Sequence, residues 1–377
     1  SSDDSSSDDS SSDDSSSDDS SSDDSSSDDS SSDDSSSDDS SSDDSSSDDS
    51  SSDDSSSDDS SSDDESNKQR LKATREAKSL LETKLANVVL INAGGDMLVD
   101  NLNSIVPDGE TQAFTYALSQ GFDKKIETGS HIDAKGISIN AGIATKAETN
   151  SGTLVVGGFV EYGKADYDSY IDDGIHGSGD SSYYGIGAFA RYKTNSGAYV
   201  ETSLRVGKTD YDYASDNGLL NTKDFKFDLD TKYFGAHFGL GREFYSDNNI
   251  FDIYARYYYL RTGSNDFTQG GINVHFDSVE SHRARVGFRD RLRFNEYNSL
   301  YLGAAYEYEF SSSANGIISH PAFGSDGISG PRLKGSSGIG EIGYIFENGR
   351  VRFDIGAKGY IGKQEGYSGN LGFEFKF

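Results

Sequence analysis

The chain has no cysteine and no tryptophan among its 377 residues. Absence of cysteine excludes a disulfide scaffold and thiol chemistry, and it suits a chain that crosses an oxidising compartment without stray pairing. No stretch approaches the roughly 18 uninterrupted apolar residues of a transmembrane helix. That absence leaves a membrane barrel open, because strands hide their apolar surface in alternation. The first 64 residues lack everything but Ser and Asp: twelve copies of Ser-Ser-Asp-Asp-Ser, then Ser-Ser-Asp-Asp. With nothing apolar to bury, residues 1–64 cannot offset their chain entropy, and 26 mutually repelling aspartates predict a disordered, extended tract.

What remains is ordinary in charge. The tract carries −26 of the formal net charge of −33, which leaves −7 for residues 65–377. All 23 Tyr and 21 Phe lie in that remainder. The chain opens on Ser1 rather than Met, so a fragment or processed form is expected, and a missing signal peptide does not count against export. As a stalk the tract reaches at most about 210–230 Å. Its paired carboxylates suit loose Ca²⁺ capture, weak for want of a fixed cage, and such a polyanion does not bind nucleic acid.

Enzyme signals are poor. His131, His176, His237, His275, His282 and His320 are scattered, with neither metal-ligand spacing nor a nucleophile–base pattern. Gly-Ile-Gly-Ala-Phe-Ala at 185–190 sits inside a strand-like segment with no helix after it, so it is not a dinucleotide loop. No catalytic residue, cofactor or metal is expected, and the chain is read as a non-enzyme.

Residues 65–110 read as a helical linker. Leu80, Leu81, Leu85, Val88 and Val89 recur at three- and four-residue spacings. Gly94-Gly95 is expected to interrupt the helix, with a second piece from Asp96 to Val106 before Pro107-Asp108-Gly109. From about residue 111 the period changes to two and stays there, with strands near 111–121, 132–147, 152–164, 181–194, 197–209, 228–245, 249–262, 276–294, 299–311, 334–346, 349–361 and 367–377. Tight connections at Glu148–Ser151, Thr194–Ser196, Ser246–Asn248, Asn295–Asn298 and Glu347–Asn348 alternate with long ones, such as Lys164–Asp180, Asp210–Phe227, Thr262–His275 and Ser312–Lys334. Short turns at one rim and long loops at the other describe an outer-membrane barrel. A Greek-key sandwich has no reason to keep that order. The expected fold of residues 111–377 is therefore a 12-stranded antiparallel transmembrane β-barrel, with Tyr162, Tyr192, Tyr306, Tyr308 and Phe310 among its interfacial aromatics.

If the oily parity meets lipid, the other parity lines a lumen. Arg283, Arg285, Arg289, Arg291 and Arg293 share one parity with Gly287, and Ala284, Val286, Phe288, Leu292 and Phe294 take the other. Asp290 breaks the pattern and suggests a bulge or strand end. Glu307 and Glu309 on the next strand are placed to pair with the arginines. Glycines on or beside the lumen parity (Gly185, Gly187, Gly235, Gly239, Gly241, Gly340, Gly343) would leave room inside, and one helix is the natural plug of a bore this wide. An even strand number puts both barrel ends in the periplasm, so a threaded helix carries everything upstream to the exterior. Leu85–Val106 spans about 33 Å as helix, and its Asp96 and Asp100, one turn apart, are expected to face the arginines.

These features resemble the autotransporter (type Va secretion) translocator domain over about residues 85–377. Thr128-Gly129-Ser130-His131-Ile132-Asp133 is similar to the stretch between the family's first two strands, and Gly157-Gly158-Phe159 with Tyr162-Gly163 to its third. Leu371, Phe373, Phe375 and Phe377 reproduce the alternating, Phe-terminated ending that the resemblance marks as the barrel-assembly signal. It implies insertion of a monomeric barrel in the lipid of a bacterial outer membrane, with the barrel-assembly machinery and periplasmic chaperones as partners. It further implies export of the chain's own passenger. Some members cut their linker at an Asn next to a second Asn. The nearest equivalents here, Asn101 and Asn103, are separated by Leu102, so an uncleaved, tethered tract at the cell surface is expected. A plain outer-membrane channel, and a surface adhesin acting through its loops or the Ser/Asp stalk, are the alternatives.

Overall fold

The computed structural model describes residues 61–103, 113–171, 174–215, 225–321 and 324–377. Most of the Ser/Asp tract, to residue 60, and the linker 104–112 lie outside the described residues, as do Ser104–Val106 of the expected second helical piece. Among the described residues one helix, α1 (Ser61–Asn101), precedes sixteen strands. It takes in the last four residues of the tract, and it does not break at Gly94-Gly95.

Twelve strands close into an antiparallel barrel. They are β1 (Ala113–Glu127), β2 (His131–Thr149), β3 (Gly152–Ile171), β4 (Ile175–Thr194), β5 (Ala198–Ser215), β6 (Lys226–Tyr245) and β7 (Asn249–Thr262), followed by β10 (Val279–Arg293), β11 (Asn298–Ser311), β14 (Gly335–Asn348), β15 (Val351–Gly362) and β16 (Gln364–Lys376). β16 pairs with β1 from Phe114↔Lys376 to Ile126↔Gln364, which leaves the barrel no free edge. The remaining four strands, β8 (Asn265–Gln269), β9 (Ile272–Phe276), β12 (Ser313–His320) and β13 (Gly324–Arg332), form a separate sheet in the order β13-β12-β9-β8.

Two of the expected long loops are therefore strands: Thr262–His275 supplies β8 and most of β9, and Ser312–Lys334 supplies β12 and β13. Lys164–Asp180 is no loop either. β3 and β4 run on through it, paired residue by residue from Lys164↔Ser182 to Ile171↔Ile175. Polar composition there hid the strands, because Lys164, Asp166 and Asp168 hold the outward parity while Ala165, Tyr167 and Ser169 are buried inward, so the oily alternation is reversed. The barrel is consequently uneven. Strands β2 to β6 run 18 to 20 residues, and β7, β10, β11 and β14–β16 run 12 to 15. The small sheet stands over the low side, since its strands leave from and return to β7, β10, β11 and β14.

The parity assignment sets the walls. Ile186, Val160, Leu204, Phe238, Val286 and Ile355 are among the large apolar side chains exposed on the outside, between 52% and 61% open. Inward neighbours such as Glu161, Arg205, His237, Arg285 and Asp354 are buried. Such an arrangement is stable only where lipid covers the outside. Among the described residues no helix is long and apolar enough to cross a membrane; strands do the crossing.

Inward glycines do a different job from the one expected. Cβ atoms at Gly185 and Gly187 would sit 2.1 Å from Tyr233 Oη and 2.3 Å from Phe159 Cζ, and at Gly343 2.2 Å from Tyr301 Cζ. They make room for aromatics of strands one or two places away rather than for the plug, and Gly340 faces outward. Asp290 marks no bulge: β10 stays in register through it, and the irregularity lies at His282/Arg283. It sits three residues from the strand end, where Asn249 Nδ2 donates to it at 3.2 Å.

Candidate functional site in the barrel lumen

The lumen holds α1. In the outer part of the bore the helix is gripped by apolar packing: Leu80, Leu81, Leu85 and Ile91 belong to one buried cluster with Phe225, Phe276, Ala314 and Leu333. Glu82, Lys84 and Asn87 each find partners on the wall. Glu82 accepts from Thr128 Oγ1 at 2.8 Å, from Ser130 Oγ at 2.6 Å and from Ser169. Lys84 Nζ donates to the carbonyls of Gly263 at 2.7 Å and Asp277 at 2.6 Å. Asn87 Oδ1 accepts from Ser181 and Thr209.

At Gly94 and Gly95 the wall comes close to the helix backbone. A Cβ on Gly94 would lie 1.7 Å from Tyr183 Oη, and one on Gly95 2.7 Å from Arg205 Nη2. Arg205 also donates to the carbonyl of Ile91 at 2.7 Å. The pair keeps the helix slim; sequence composition alone reads two glycines as a break.

One turn further, the helix divides into two faces. Met97, Leu98 and Leu102 pack with Phe114, Leu118, Phe159 and Phe189. Asp96 and Asp100 meet the opposite wall. Asp96 accepts two hydrogen bonds from Arg283, both 3.0 Å, and lies 3.2 Å from Arg285. Asp100 accepts from Arg256 at 2.9 Å, from Arg285 at 3.1 Å and from Lys358. Wall carboxylates complete the ring: Glu307 bonds Arg285 at 2.7 Å and Arg283 at 3.2 Å, Glu309 stands 3.8 Å from Arg283, and Glu201 bonds Arg256 at 2.9 Å. Two helix carboxylates thus receive four cations from β7, β10 and β15. Ion pairs in such a confined place roughly offset their own desolvation, yet removal of one partner costs about 3–5 kcal/mol. The ring therefore specifies position more than it adds stability.

The other arginines of β10 lie nearer the opposite mouth. Arg289 grips Glu341 with two bonds of 2.7 and 2.8 Å and donates to the Asp100 carbonyl at 3.1 Å. Arg291 is 3.8 Å from Glu347, and Arg293 is exposed. Both line a cavity of about 90 Å³ with Asn103, Arg191, Glu243 and Asp252. Asn101 Nδ2 donates to the Met97 carbonyl at 2.7 Å; Asn103 Nδ2 donates to Asp252 at 2.6 Å, and its oxygen accepts from Arg191.

Arg256 and Lys358 escaped notice as site residues because neither belongs to a run of arginines like that of β10. Their inward parity, shared with Tyr254 and Tyr258 or with Arg352 and Asp354, is the signal that would find them. At the C-terminus Leu371 and Phe373 face outward, and the Phe377 amide donates to the Ala113 carbonyl at 3.2 Å.

The autotransporter beta-domain family matches residues 117–358, well over half of the chain. Among solved structures, the chain is similar to the beta domain of the Bordetella autotransporter BrkA, at 18% identity and a TM-score of 0.56, over 71% of this chain and all of that one. It is also similar to the translocator domain of NalP from Neisseria meningitidis, at 12% and 0.58, over 76% of this chain and 97% of that one. The transport unit of AIDA-I from Escherichia coli gives 13% and 0.52, with the same two coverages. At such identities these likenesses speak to the fold alone. No curated protein matches the chain by sequence. With the family matched across most of a lipid-facing barrel whose bore holds a helix, the chain belongs to the autotransporter β-domains, the outer-membrane translocators that export a passenger.

Proposed function

We propose that α1 is the trailing end of the exported segment, halted in the bore, and that the Ser/Asp tract stands outside the cell as an uncleaved stalk. The observation that carries this reading is the ring on Asp96 and Asp100, in which a chain otherwise free to slide is held by Arg256, Arg283, Arg285 and Lys358. Retention of the linker is favoured by the amides of Asn101 and Asn103, both engaged in hydrogen bonds and lacking an adjacent asparagine. Barrel-assembly machinery and periplasmic chaperones are the partners during insertion, with the Leu371, Phe373, Phe375 and Phe377 ending as the recognised signal. Arg283, Arg285, Arg289, Glu307 and Glu309 are proposed as lumen contacts of the halted chain, with Arg291 and Arg293 at its inner mouth.

Protease added to intact cells tests this topology. Cleavage at the junction between the tract and α1, with the barrel protected and the tract covalently joined to it beforehand, is the expected result. A junction cut only after the outer membrane is opened would overturn it.

A further inference from the structure

The outside of the tall strands carries a charge pattern that the lumen does not explain. Along the outward parity of β2 to β7, the band of apolar and aromatic side chains ends, toward the end of the barrel that bears the small sheet, on Lys135, Lys164, Ser182, Lys208, Lys232 and Arg261, one on each strand. Just inside them on the same face lie Ile137, Tyr162, Tyr184, Val206 and Phe234, between 40% and 52% open. At the other end of the same strands the outward parity holds one cation, Arg242. The row lies level with a membrane rather than with the ladder. Read across the ladder, Lys135 leads through Asp166, Asp180 and Asp212 to Asp228, whereas Arg261 stands opposite Phe234, six residues further in along β6. Strands about 4.8 Å apart and tilted by about 40° make a level line drift by about 4 Å per strand, or about six residues over five strands. The cations therefore share one plane.

We infer that Lys135, Lys164, Lys208, Lys232 and Arg261 form a belt that binds membrane lipid through anionic phosphate headgroups. Acids take the next outward places, Asp133, Asp166, Asp210 and Asp230. The ion pairs of the belt with nearby acids are exposed, from 3.1 Å at Lys208–Asp230 to 3.9 Å at Lys135–Asp123. Such pairs are weakly held. The cations have the membrane side of them, so a phosphate in the headgroup plane meets ammonium and guanidinium groups first. Between β16 and β3 that plane crosses an open groove of about 560 Å³, walled by Lys135, Lys164, Ile137 and Tyr367 and floored by the paired Gly121 and Gly369. Its bare, partly apolar floor takes the chains of a lipid whose phosphate sits on Lys135 and Lys164. The formal net charge of −33 repels anionic lipid, so a preference for it has to come from a local site. The belt lies at the end that the proposed topology puts outside the cell, and binding itself does not depend on that topology.

The test titrates the full chain, purified in a non-ionic detergent, with phosphatidic acid or with phosphatidylcholine of the same acyl chains, and counts retained lipid by native mass spectrometry. Phosphatidic acid is expected to be retained at a several-fold lower concentration. The combined change Lys135→Gln, Lys164→Gln, Lys208→Gln and Lys232→Gln should abolish that difference, arginine at the same four places should keep it, and Arg242→Gln at the other end should leave it unchanged. A native chain with no preference, a preference that survives the four glutamines, or one lost equally with the four arginines overturns the proposal. Displacement of the lipid by inorganic phosphate, but not by chloride at equal ionic strength, would leave a free-phosphate site and overturn the lipid assignment as well. Should the fourfold variant not assemble, Lys135→Gln with Lys164→Gln replaces it and is expected to lose the lipid of the groove; retention of that lipid counts against the proposal. None of these outcomes bears on the topology, which the protease experiment decides.

Discussion

The two ends of the bore hold the same helix by different physics. In the outer part, Leu80, Leu81 and Leu85 are packed by apolar side chains, and Glu82 and Lys84 each bond to separate partners on the wall. In the inner part, Asp96 and Asp100 are bound by an array of cations. Apolar packing seals without strict direction, because it scales with area and tolerates sliding. Ion pairs with fixed forks demand one register. One part fills the bore, and the other fixes the register of the helix within it.

The largest expected effect comes from removing both grips. Deletion of residues 61–103 should turn a barrel that passes little current into an open pore in planar-bilayer recordings; unchanged conductance would mean that α1 is no plug. Next comes Asp100→Ala, which leaves Arg256, Arg285 and Lys358 short of a partner and should cost about 3–5 kcal/mol. It would be read as a lower temperature for loss of the barrel's folded band in detergent. Leu81→Ala in the outer part should cost about 2–4 kcal/mol without disturbing the register. If its loss exceeds that of Asp100→Ala, the division of labour is reversed. Gly94→Ala forces a methyl toward Tyr183 Oη and should cost about 1–3 kcal/mol, a loss that Tyr183→Phe relieves in part. Tyr192→Phe, which removes an exposed bond to Ser151 at 2.7 Å, should change stability by less than about 0.5 kcal/mol.

Strand number and parity were legible because lipid on one side and charge on the other enforce a period of two, as along Arg283–Arg293. The far portions of β3 and β4 were not, since polar Asp166, Asp168 and Asp180 take the outward parity there while Ala165 and Tyr167 are buried inward, the reverse of the lipid-facing pattern. Nor were β8, β9, β12 and β13, whose apolar residues are buried by α1 and by one another over short strands. Asp96 and Asp100 stood out by their helical spacing opposite an arginine stripe. Arg256 and Lys358 did not, because their nearness to Asp100 is a product of barrel closure, which brings β7 and β15 within reach of one carboxylate. Gly94-Gly95 was misread for the same reason: the clearance that requires two glycines belongs to Tyr183 and Arg205, remote in sequence.

That clearance acts like the notch of a key. Advance or retreat of α1 by a single turn would bring Leu98 and Val99, or Leu90 and Ile91, abreast of the Tyr183 hydroxyl and the Arg205 guanidinium, where a bare backbone alone fits. The two glycines therefore fix the register of α1 against the wall from the backbone side, as the ring on Asp96 and Asp100 does from the side chains.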